Sequence, residues 1–152
     1  MIKNVTFENT TFADVPQRFE AGTTNIAGVI GLGYAIDFIS QFEKKEIQAY
    51  LKNLTAEATE KILTINDLRI IGMAKEKSAI LSFAFGNVHP HDVATFLGAE
   101  NIAVRAGNHC TQPLMDYFKL PGTTRASFTI YNTMEEVDRL VATLKDIQNF
   151  FA

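Results

Sequence analysis

The sequence has a single cysteine, Cys110, set in Val104-Arg105-Ala106-Gly107-Asn108-His109-Cys110-Thr111-Gln112-Pro113. An imidazole adjoins the thiol, a guanidinium lies five residues before it, and a helix start is expected just after it. Cationic neighbours and helix N-termini raise the fraction of a thiol present as thiolate, so this window reads as a loop that activates a nucleophile. An inert, buried thiol is the competing reading, because free cysteine is among the most buried residue types. The polar flanks Asn108, His109, Thr111 and Gln112 weigh against it.

Three further groups could do chemistry. His89 and His91 form an H-x-H that could join His109 and Cys110 around zinc. They fall at a helix start, where polar residues are expected anyway, and no metal is assigned. Arg125 opens the run Arg125-Ala126-Ser127-Phe128. It is either a surface charge at a strand edge or a planar clamp for a carboxylate. The turn Gly22-Thr23-Thr24-Asn25 could offer N–H groups and hydroxyls to a phosphate, or serve as a plain helix cap.

These residues need a scaffold, and 152 residues suffice for one. Apolar types make up 47% and charged types 20%, with 14 Lys+Arg against 17 Asp+Glu. That is the composition of a folded, mildly acidic protein without the basic stripe that nucleic acid or an anionic membrane would require. One cysteine makes no intramolecular disulfide, and no charged segment followed by an apolar core opens the chain, so a reducing cytoplasm is the expected compartment.

Ile2 to Glu8 and Thr10 to Gly22 read as an irregular arm with one strand. Asn25 to Ser40 is a helix apolar on every face, too short for a bilayer span of roughly 20 residues. It therefore needs burial against a partner surface. Phe42 to Ile65 carries a helical period, with Ile47, Leu51, Leu54, Ala58, Ile62 and Ile65 along one face. Strands are expected at Leu68 to Gly72, Ala79 to Phe85, Asn101 to Arg105 and Arg125 to Tyr131. Short helices are expected at His89 to Gly98 and Pro113 to Phe118. Thr133 and Glu136 form a capping box that opens a final amphipathic helix through Phe151. The expected fold is α+β, a small, mostly antiparallel sheet with helices on one face.

Taken together, Arg18 to Asn25, Ile102 to Cys110 and Arg125 to Thr133 with Glu135-Glu136-Val137-Asp138 resemble, in order and spacing, the C-terminal part of group II cysteine desulfurases. These are the Suf-type and selenocysteine-lyase-like members of the class V aminotransferase superfamily. The resemblance covers essentially the whole chain. It implies the small C-terminal domain of fold-type I pyridoxal phosphate enzymes over residues 41–152, preceded by an arm and connecting helix over residues 1–40 that pack on a large cofactor domain. It assigns Cys110 as the nucleophile that takes sulfur from cysteine as a persulfide, releasing alanine for iron–sulfur cluster assembly, with His109 beside it in catalysis. Arg125 is assigned to the substrate carboxylate, Arg105 and Asn108 to the substrate side of the same loop, and Thr23 to the cofactor phosphate of the other subunit of a homodimer. Asn108 stands where the family usually has a second histidine, and Thr24 where it usually has proline.

The large domain, with its Schiff-base lysine, has no counterpart in the sequence. Met1-Ile2 resembles an internal point of the family, so the chain reads as a fragment that binds no cofactor covalently and is inactive alone. Its expected partners are the large domain and a sulfur-acceptor protein. The alternative is a non-enzymatic sulfur carrier or interaction module that uses Cys110.

Overall fold

The computed structural model describes residues 1–151, in two compact units, Met1–Glu43 and Lys44 onward. In the first unit, β1 (Ile2–Val5) and β2 (Thr10–Phe12) pair antiparallel, Ile2 opposite Phe12 and Val5 opposite Thr10. The arm therefore holds two strands where one was expected, because Thr6 and Asn9 close a tight reversal through backbone and hydroxyl hydrogen bonds. The helix α1 (Ile26–Ile39) starts where expected, at Asn25, whose Oδ1 accepts from the Gly28 N–H. No residue of α1 is buried, and Val29 and Leu32 are each more than 60% exposed. A helix this apolar on all sides is stable in water only when something covers it.

The second unit is a four-stranded antiparallel sheet in the order β3-β4-β6-β5. Its strands are β3 (Leu68–Ile71), β4 (Ile80–Phe85), β5 (Arg105–Gly107) and β6 (Thr123–Ser127). The helices are α2 (Lys44–Ile62), α3 (Pro90–Ala99), α4 (Gln112–Phe118) and α5 (Met134–Phe151). Alternation along the strands sends Leu68, Ile70, Leu81, Phe83, Phe85, Thr124 and Ala126 to one face, all buried. That face carries the core with Leu54, Ala58 and Ile62 of α2, Val93 and Leu97 of α3, and Val137, Leu140, Leu144 and Ile147 of α5. The capping box forms, with Glu136 N–H bonded to Thr133 Oγ1 and the Glu136 carboxylate accepting from Thr133 N–H. Lys61 Nζ meets Asp138 at 2.5 Å and fastens α2 to α5.

The α+β expectation holds, and α2, α3 and α5 lie on one face. The short α4 is the exception, because its last residue, Phe118, sits under the guanidinium of Arg69, which points away from the core.

Two strand assignments shift. The strand expected over Asn101 to Arg105 begins only at Arg105, because the N–H groups of Asn101 and Ile102 bond back to Gly98 and Leu97 and close α3. The strand expected from Arg125 to Tyr131 runs instead over Thr123–Ser127, because Thr129 N–H bonds to Asn132 Oδ1 and turns the chain. Arg125 therefore sits at the centre of a strand flanked on both sides, not at the beginning of one.

Candidate functional site

The face of the sheet away from α2, α3 and α5 gathers the chemistry. Arg105 on β5 lies directly opposite Arg125 on β6, so both side chains project from the same face. Like charges directly opposite one another weaken a strand pair, and neither guanidinium has an acidic partner among the described residues. The Nε of Arg125 is buried without a hydrogen-bond partner among the described residues. Two unneutralised cations at one point of a sheet, one with a donor to spare, are groups of the kind that can bind a planar anion such as a carboxylate.

Beyond Arg105 the chain passes Gly107 and enters the loop that carries the thiol. Gly107 has φ 118° and Gly122 has φ 155°, and a Cβ on Gly122 would stand 3.0 Å from the Gly107 carbonyl. Only glycine fits so close an approach, which brings the start of β6 against the base of the loop. His109 and Cys110 follow with φ of 51° and 60°, two consecutive non-glycine residues in the left-handed region. Each such residue costs about 1–2 kcal/mol, so other contacts must hold the pair in place. The Asn108 carbonyl accepts from both the N–H and the hydroxyl of Thr111, which closes the turn. Asn108 thus acts here through its backbone.

Cys110 is exposed, and the Nη2 of Arg105 approaches its sulfur at 3.9 Å, a long contact that sets a positive charge beside the thiol. Arg105, Asn108, His109, Cys110 and Gln112 line one open cleft.

His109 turns inward. Its Nε2 lies 3.0 Å from both the carbonyl oxygen and the hydroxyl of Thr123, while Nδ1 is buried with no partner among the described residues. A carbonyl oxygen only accepts, so Nε2 carries the proton. Burial holds the imidazole below its ordinary pKa. The Thr123 carbonyl opposes that shift, and the charges of Arg125 and Arg105 add to it. The folded state therefore prefers neutral His109, and its contribution is fully present above the unfolded pKa of about 6.5 and is lost as pH falls through the lower folded value. Thermal melts between pH 7.5 and 5.5 are expected to show a loss of stability on acidification that is smaller in the His109→Gln variant. Equal slopes in the two proteins would contradict this.

The sequence-derived candidates Arg105, Asn108, His109, Cys110 and Arg125 thus share one edge of the second unit. Thr23 belongs to the first unit, exposed, next to Gly22 with φ 86° and two residues before the cap of α1. The histidine pair has another task. Nδ1 of His89 accepts from the His91 N–H at the start of α3, with the two rings stacked, and no group of three His, Cys, Asp or Glu stands together among the described residues. Thr123 went unnoticed in the sequence. Its one signal is a hydroxyl at the mouth of a strand, which becomes informative only once the strand register is known.

A four-stranded antiparallel sheet with three helices on one face is an α+β arrangement consistent with part of a fold-type I enzyme. Residues 1–140 match the family model described as aminotransferase class-V, and the chain belongs to that family. It is 44% identical over 99% of its length to a probable cysteine desulfurase of Streptomyces coelicolor, and 46% identical over its whole length to one of Staphylococcus epidermidis. Among solved structures it is similar to the cysteine desulfurase CsdA of Escherichia coli, with a TM-score of 0.86 and 34% identity over 99% of this chain. It is also similar to the apo cysteine desulfurase of Thermococcus onnurineus, with a TM-score of 0.84 and 34% identity over 96% of this chain. In each case the chain spans 37% of the relative's own length.

Proposed function

We propose that the chain is the C-terminal domain of a group II, pyridoxal-phosphate-dependent cysteine desulfurase. The reading is carried by the unneutralised Arg105–Arg125 pair beside the one exposed thiol, Cys110. L-Cysteine presents a carboxylate, which suits the guanidiniums, and a sulfur, which suits the thiol. Arg125, held by strands on both sides, orients the carboxylate, and Arg105 keeps positive charge near the reacting sulfur. The Cys110 sulfur forms a sulfur–sulfur bond with the substrate sulfur as the substrate's carbon–sulfur bond breaks, leaving a persulfide on Cys110 and alanine as the product.

When bound, pyridoxal phosphate supplies the electron sink for that bond cleavage. Of the residues present, the exposed Thr23 beside the Gly22 turn would hold its phosphate, in the other subunit of a homodimer. The remaining cofactor contacts come from a large domain that also covers the apolar α1. Residues 1–40 are the arm that packs there, and residues 41–152 carry the substrate and sulfur chemistry. The persulfide passes to an acceptor protein for iron–sulfur cluster assembly in the cytoplasm.

Purified chain given pyridoxal phosphate and L-cysteine is expected to make no alanine. A complete class-V desulfurase whose corresponding C-terminal region is exchanged for this chain is expected to make it catalytically. Turnover by the chain alone, or a folded, cofactor-loaded chimaera that makes none, would refute the proposal.

A further inference from the structure

We infer that Thr123 is a positioning residue for Cys110, acting through His109. The inference rests on the reading of Cys110 as the sulfur-accepting nucleophile and adds how its loop is held.

Cys110 occupies a conformation that a free loop would leave, since both it and His109 are left-handed. The turn bonds from Thr111 to Asn108 are internal to the loop and do not fix it to the sheet. The tie to β6 is the imidazole. Its Nε2–H donates to the Thr123 carbonyl and hydroxyl together, both at 3.0 Å. Thr123 suits an anchor because it is 1% exposed, pairs with Gly107 across the sheet, and sits beside Gly122, whose missing Cβ lets β6 approach the loop. The charged groups turned toward His109 are Arg105 from β5 and Arg125 from β6, and both favour the neutral ring that this donor geometry needs.

His109 therefore holds the loop, and the proton on its Nε2 stays committed to Thr123. Released from that fork, residues 109 and 110 relax toward right-handed backbone, and the sulfur leaves the 3.9 Å approach to Arg105.

The geometry separates positioning from proton transfer. The amide nitrogen of glutamine can occupy the place of Nε2 and donate to Thr123, but it cannot carry a proton to or from a thiol. Native-state alkylation of Cys110 by iodoacetamide at pH 7.5 is expected to be at least about threefold slower in His109→Ala and Thr123→Val than in the parent chain. His109→Gln is expected to react at least about threefold faster than His109→Ala, and Thr123→Ser faster than Thr123→Val. Long-range ¹H–¹⁵N correlation should place the ring proton of His109 on Nε2.

A His109→Gln rate as low as that of His109→Ala, a Thr123→Val rate equal to the parent's, or a proton on Nδ1 would overturn the inference. If Thr123→Val loses its dispersed NMR spectrum, the two His109 variants decide. Failure of the underlying reading looks different: in the chimaeric desulfurase no persulfide would form on Cys110, while the alkylation contrast would still report on the clamp.

Discussion

Replacing Cys110 with serine is expected to abolish sulfur uptake by the chimaeric desulfurase, with persulfide on the domain falling at least about 100-fold, because a hydroxyl at neutral pH is a far poorer nucleophile than a thiolate and cannot hold a sulfane sulfur. Cys110 is the only cysteine in the chain, so no second thiol of this domain can take over. Mass spectrometry of the chimaera after reaction with L-cysteine reads the outcome directly, as one added sulfur on the domain that carries Cys110 and none on the Cys110→Ser domain. The fold should be untouched, since the side chain is exposed and its one polar contact is the long approach from Arg105. A variant that still gains sulfur would mean that the exposed thiol is incidental and that another group carries the chemistry.

The largest loss of stability is expected from Phe83→Ala. Phe83 lies at 0% exposure on β4, between β3 and β6, within the core shared with α2, α3 and α5. Removing a fully buried phenyl ring costs about 3–5 kcal/mol in lost burial and residual cavity, against a total of about 5–15 kcal/mol for a typical domain. The melting temperature is expected to fall by about 6–20 °C. The consequence reaches the site, because Phe83 pairs with Thr124 while its neighbour Ser82 pairs with Arg125. Loosening β4 therefore loosens the strand that carries the proposed carboxylate clamp. A melt within about 3 °C of the parent would show that the sheet repacks without the ring, contrary to the close packing expected of a core.

What was legible in the sequence followed from local spacing. The stripe on α5 and its Thr133–Glu136 cap could be read because a helix repeats every three to four residues and its cap acts within one turn. The polar loop of Cys110 and the all-round apolar α1 were legible for the same reason, since both are properties of contiguous residues.

Strand limits were not. Whether Asn101 and Ile102 extend as strand or close α3 depends on competition for their N–H groups, and the helix carbonyls of Gly98 and Leu97 win. The tertiary structure alone decided that Arg105 faces Arg125, twenty residues on, and that His109 reaches Thr123, fourteen residues on. Register is the physical reason. A slip of one residue between β5 and β6 would turn each side chain to the other face, parting the two guanidiniums and removing the anchor from beneath the imidazole. Residue types determined which groups could act, and long-range pairing of backbone hydrogen bonds determined which of them meet.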